Sequence, residues 1–103
     1  MKVKKGDSTD IFEVTVDGVV DYTDYRGEIT VLAPKTNSVV IAKYTIAPAS
    51  NKITVAFSPA QTQGLAVGDY NVVFEVIKEV GGIIEFRREL SWPLQILPSL
   101  LNN

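Results

Sequence analysis

The sequence predicts an all-β fold, an antiparallel β-sandwich of about seven short strands. Three observations predict it. Short segments of alternating apolar and polar residues are separated by turn-forming residues at intervals of roughly 8 to 14 residues. A tyrosine-corner pattern precedes a long apolar segment. No segment has a helical period long enough to connect parallel strands. Together they predict an immunoglobulin-like sandwich with Greek-key connections.

The predicted strands of the first half differ in how they alternate. In residues 10–16, apolar residues at every second position define one buried face, and Asp17-Gly18 closes the strand in a turn. Residues 39–46 are instead apolar and β-branched on both faces, which predicts a strand covered on both sides or one lying at an interface. The other strands of this half are predicted at residues 2–5, 28–31 and 52–57.

One short helical turn is predicted near residues 59–63. Ser58 is placed to cap it, Pro59 occupies its first position, and Gly64 ends it. Because a helix this short is not stable alone, it is expected to connect strands of opposite sheets.

Leu65, Gly68 and Tyr70 form the predicted structural corner. Gly68 can adopt a positive φ that bends the backbone, and the Tyr70 ring then packs inward. We expect its hydroxyl to bond a backbone group a few residues upstream, which stabilises the fold by only about 1 kcal/mol. The motif therefore indicates a fold and carries no chemistry.

Two registers compete for the C-terminal hairpin, which turns at Gly81-Gly82. A two-residue loop sets Glu89 opposite Phe74. We prefer a three-residue loop over residues 80–82, because it keeps apolar residues together on one face. That register pairs Val76 with Phe86, Val72 with Leu90, Tyr70 with Trp92 and Glu75 with Arg87.

Length and composition indicate one globular domain. The chain has 103 residues, with the sandwich expected over residues 1–97 and a tail over 98–103. A net charge of −2 with scattered lysines gives no electrostatic footprint for nucleic acid. No stretch approaches the ~20 apolar residues that a membrane-spanning helix needs, and the N-terminus does not resemble a signal peptide. We therefore expect no nucleic-acid or membrane partner.

The sequence offers little catalytic chemistry. It contains no histidine and no cysteine, which removes the common catalytic triads and zinc sites. Asp17, Asp21 and Asp24 could offer oxygen ligands to Ca²⁺, but their spacing does not match an EF-hand loop and polar loop residues are the simpler interpretation. The glutamates of the last hairpin stand beside lysine and arginine, as on a solvated sheet face. We predict no enzyme, no catalytic residue and no cofactor.

An aromatic surface is the main alternative source of function. Tyr22, Tyr25 and Tyr44 with Trp92 could stack a sugar, which would suit an extracellular adhesion or carbohydrate-binding module. Aromatic side chains of a sandwich more often belong to its core.

Several segments in order resemble the immunoglobulin-like N-terminal domain of phage baseplate upper proteins and related small phage tail proteins. They are Gly6-Asp7, Val16-Asp17-Gly18, residues 58–62, the corner and Leu94-Gln95-Ile96. The resemblance implies a phage or prophage structural protein of the tail or baseplate without an active site. Its implied location is the virion, assembled in the host cytoplasm, and its implied partners are other phage structural proteins and copies of itself.

Surfaces for such contacts are predicted at two places. A sandwich has free strand edges to which a partner can add a strand, and Val39 and Ile41 are the candidate interface residues on the strand that is apolar on both faces. Leu100 and Leu101 of the tail form the second candidate interface. Ordinary core and a frayed end are the simpler interpretations of the two sites.

Overall fold

The computed structural model describes residues 1–9, 12–34, 39–46 and 53–100, and of Phe12 the backbone alone. This part of the chain forms seven strands and one short helix, so the all-β prediction is confirmed. In chain order they are β1 (Lys2–Lys4), β2 (Phe12–Val14), β3 (Tyr25–Leu32), β4 (Val40–Ile46), β5 (Ile53–Val55), α1 (Pro59–Gln63), β6 (Gly68–Val80) and β7 (Ile83–Leu97).

The strands form two sheets. The larger has the order β1-β7-β6-β3-β4 and the smaller pairs β2 with β5. The order β7-β6-β3-β4 facing β2-β5 is that of the G, F, C and C′ strands facing B and E in an immunoglobulin-like sandwich. After β5 the chain crosses through α1, and β6 returns to pair with β3, as in a Greek-key connection.

One strand pair departs from the predicted antiparallel pattern. β1 runs parallel to β7, with Val3 opposite Ile96. Short turns impose antiparallel pairing on strands that are neighbours in sequence, but almost the whole chain separates β1 from β7, so either direction is open to them.

The core lies where the small sheet covers the large one. Along β3 and β6 alternate residues are buried, as expected for strands with one face against the other layer. Phe74 is fully buried, and a side chain at Gly27 would place its Cβ 2.7 Å from the Phe74 ring. Glycine is therefore required where β3 passes this ring.

The helical turn forms as predicted. Ser58 Oγ accepts from the backbone N–H of Gln61 at 3.2 Å, and the Gln61 side chain accepts from the backbone N–H of Ser58 at 2.9 Å, which completes a capping box. Thr62 is buried, and its hydroxyl donates to the carbonyl of Asp7 at 2.7 Å. That bond holds the helix against the segment that follows β1. No helix in the described ranges is long and apolar enough to cross a membrane.

The preferred hairpin register is wrong. The loop has two residues, Gly81-Gly82, because Val80 lies opposite Ile83. The register then shifts between Lys78 and Glu79, so the rest of the hairpin is displaced by two residues from the predicted pairing. The observed pairs are Val76 with Arg88, Glu75 with Glu89, Phe74 with Leu90, Val72 with Trp92 and Tyr70 with Leu94. A β-bulge on β7, which the sequence did not predict, causes the shift. Successive side chains of a strand alternate between its two faces, so a displacement of two residues keeps the predicted apolar residues on the same face.

Candidate interaction surfaces

The three corner residues lie together at the entry to β6. Leu65 is buried, Gly68 has a φ of 152°, and the Tyr70 hydroxyl donates to the carbonyl of Ala66 at 2.7 Å. The Tyr70 ring packs against the core cluster. This arrangement is the geometry of a tyrosine corner, and it offers a ligand no free polar group beyond that hydroxyl.

Two of the candidate sugar-stacking tyrosines, Tyr22 and Tyr25, lie in the core, and Tyr44 is partly buried against it. Tyr22 is 2% exposed and Tyr25 is 8% exposed, and their rings meet edge to face at 5.2 Å. The Tyr22 hydroxyl accepts from the backbone N–H of Val16 at 2.9 Å. Tyr44 packs edge to face on Phe57. The buried Tyr22 and Tyr25 have no exposed face on which a sugar could stack, so this part of the predicted aromatic surface is absent.

Of the three aspartates considered as calcium ligands, Asp21 is held by its neighbour Thr23. Asp21 accepts from the backbone N–H and the hydroxyl of Thr23, and these bonds lower the pKa of the Asp21 carboxyl. On the hairpin, Glu75 pairs with Arg87 and Glu85 lies 3.6 Å from Lys78. Within the described ranges no group of three acidic side chains is placed to hold a metal ion.

The β4 edge is the first candidate interaction surface. β4 pairs with β3 on one side and ends the sheet in the described structure. Val39, Val40 and Ile41 at its start are 47%, 57% and 47% exposed. The register shifts here, with Leu32 opposite Val40 and Val31 opposite Ala42, so Ile41 is the extra residue of a β-bulge. Val39 and Ile41 are thus brought together on an exposed, apolar strand edge.

Leu100, the described residue of the tail site, does not join that surface. Leu100 is 81% exposed and follows the end of β7, which β6 and β3 separate from β4 in the sheet. Leu101 lies outside the described residues. The structure therefore supplies no common patch for the two predicted interface sites.

The β7 edge is the second candidate interaction surface, and sequence reasoning missed it. β1 pairs with β7 at Gln95–Leu97 alone, so residues 83–91 have no neighbour on their outer side in the described part of the chain. All of these residues except Phe86 are exposed. On the inward face of this stretch Phe86 packs against the core cluster.

A groove lies between the two layers beside this edge. It has a volume of about 680 Å³ and is lined by residues that include Val14, Val55, Leu90 and Trp92. The indole Nε1–H of Trp92 is buried and has no hydrogen-bond partner within the described chain. An unpaired buried donor costs about 1–3 kcal/mol, so the sandwich is imperfectly closed on this side. Residue types alone did not signal the groove, because segments far apart in the sequence line it.

The chain was compared with family models, with curated proteins and with solved structures, and none matches it. Function is therefore inferred from the surfaces of the molecule.

Proposed function

We propose that this domain is a non-enzymatic structural protein of a phage or prophage tail or baseplate. It joins the assembly when a neighbouring tail protein adds a strand to the free edge of β4. The observation that carries this proposal is the run of exposed apolar residues at the start of that edge, Val39, Val40 and Ile41.

An exposed strand edge presents unpaired backbone N–H and C=O groups, and proteins usually protect it with charge, proline or a covering element. β4 carries one charged residue, Lys43, whose ammonium lies 3.7 Å from Glu28 on the neighbouring strand. The start of the edge, residues 39–41, carries no charge and no proline, and the bulge at Ile41 is the one protecting device that the described residues show there. A partner strand would pair with the backbone and cover the valine and isoleucine side chains.

The polar chemistry of the chain supports a binding role. The sequence lacks histidine and cysteine, and carboxylates of the hairpin face pair with lysine or arginine. The resemblance to baseplate and tail proteins supplies the biological setting, with the virion as location and tail proteins as partners.

Co-expression with the proteins that the neighbouring genes encode tests the proposal. The wild-type protein should co-purify with one of them, and Ile41→Lys should abolish this, since a charge would be buried in the new strand pair. Val67→Lys is the matched control, because Val67 is 52% exposed and immediately precedes β6, which β3 separates from β4 in the sheet.

The proposal fails if none of the co-expressed proteins co-purifies, or if the two lysine variants behave alike. Circular dichroism of each variant shows whether the fold is intact.

A further inference from the structure

We infer that the β7 edge is a second interface, at which two copies of this chain pair antiparallel about a two-fold axis at Arg88. The pairing would join two five-stranded sheets into one. This interface is distinct from the proposed contact at β4 and does not depend on a phage partner.

The contacts of β1 show which backbone groups of β7 point to the outer edge. The Gln95 N–H donates to the carbonyl of Met1 at 2.8 Å, and the carbonyl of Pro93 accepts from the Met1 amino group at 3.0 Å. Every second residue of a strand directs its N–H and C=O to the same edge. The residues of β7 that point outward beyond β1 are therefore Ser91, Glu89 and Arg87.

Two features limit the part of β7 to which a second strand can pair. At one end the register shift between Lys78 and Glu79 makes Glu85 the extra residue of a β-bulge, which ends regular pairing. At the other end the Met1 amino group already occupies the carbonyl of Pro93. A second strand must fit between these limits, over residues 86–92, so a two-fold axis must lie close to the middle of that range, residue 89.

Charge complementarity selects the register. With the axis at Arg88, Arg87 of each copy lies opposite Glu89 of the other, and both are outward-pointing residues that can exchange backbone hydrogen bonds. The same register sets Phe86 opposite Leu90 on the inward face. An axis at Arg87 or at Glu89 would instead set glutamates opposite one another, which is destabilising.

The apolar contact also covers exposed surface. Leu90 is 39% exposed and lines the groove between the layers, and Phe86 of the second copy would lie beside it. One contact opposes the pairing, because the two Arg88 residues, one from each copy, lie opposite each other at the axis and carry the same charge. Its guanidinium lies 5.8 Å from the centre of the Phe86 ring of its own chain, which holds part of the charge on the inward face.

Sedimentation equilibrium of the whole protein over a wide concentration range tests the inference. Wild type should dimerise. Glu89→Arg should raise the dissociation constant by about tenfold or more, because two attractive pairs become repulsive. In the monomer Glu89 lies opposite Glu75, so Glu89→Arg relieves a like-charge contact and should not unfold the protein. Asp69→Arg, the same change in charge on an exposed residue of β6, is the control.

The double variant Arg87→Glu/Glu89→Arg should restore dimerisation. It reverses both cross-copy pairs and places an arginine opposite Glu75 within each chain. A wild-type protein that stays monomeric at every concentration overturns the inference, as does a Glu89→Arg variant that dimerises like wild type. A dimer lost in Ile41→Lys and kept in Glu89→Arg also overturns it, and would place self-association at β4.

Discussion

The two free edges of the large sheet carry opposite chemistry. The β4 edge begins with exposed valine and isoleucine and has one charged residue, whereas the β7 edge carries Glu85, Arg87, Arg88 and Glu89 within a short stretch. An apolar edge gains free energy from any partner that covers it. A charged edge rejects partners unless opposite charges meet, so it specifies register. In the two proposed contacts, β4 would therefore supply affinity and β7 would supply selectivity.

The two edge strands also differ in how much of their length packs against the core. On β4, Ala42, Tyr44 and Ile46 pack against the core cluster, so that strand is held by the sandwich. In the first part of β7, Phe86 packs against the core cluster and the residues around it are exposed. The molecule is elongated, with principal extents of 47 × 27 × 20 Å. A second copy along β7 would support a strand that the small sheet leaves uncovered.

The largest expected effect comes from Phe74→Ala, which should impair both edges together. Phe74 is fully buried on β6, the strand that lies between the two edge regions. Its truncation should lower the free energy of unfolding by about 3–5 kcal/mol. Urea denaturation measures the loss. A variant as stable as wild type would contradict the assigned core.

Tyr22→Phe should separate stability from edge binding. It leaves the buried N–H of Val16 without its acceptor, and the free energy of unfolding should fall by about 1–3 kcal/mol. Tyr70→Phe removes a hydroxyl whose acceptor, the carbonyl of Ala66, is exposed to water, so its effect should be smaller. Neither residue lies on an edge, and dimerisation should survive in both variants under folding conditions. A larger loss in Tyr70→Phe than in Tyr22→Phe would contradict the observed burial.

Arg88→Thr should strengthen dimerisation through the β7 edge without affecting the β4 edge. It removes the like-charge contact at the two-fold axis and substitutes a threonine pair, so the dissociation constant should fall about threefold to tenfold. Binding of a tail protein at β4 should not change. Isothermal dilution calorimetry measures the constant, and weaker dimerisation of this variant would contradict the placement of the axis.

The smallest expected effect is that of Ile41→Lys on stability. Ile41 is 47% exposed in a bulge, so the free energy of unfolding should change by less than about 0.5 kcal/mol. Thermal denaturation by circular dichroism checks this. A large loss would show that the β4 edge is part of the core and not a binding surface.

Local sequence signals predicted the fold class and the capped turn well, because alternation, Ser58 and Pro59 act within a few residues. Features set by distant contacts were not predictable in the same way. The parallel pairing of β1 joins the two ends of the chain, and the hairpin register depends on a bulge that no turn residue marks. The β7 edge is free because β1 covers so little of it, and segments far apart in the sequence line the groove at Trp92.

Backbone hydrogen exchange, followed residue by residue by nuclear magnetic resonance, tests the role of the sheet edges most directly. In dilute solution the outward-pointing amides of Arg87 and Glu89 should exchange rapidly, and raising the protein concentration should slow both while the amides of β4 do not change. Exchange at Arg87 and Glu89 that is equally fast at every concentration, or protection that appears at β4 instead, would contradict the account.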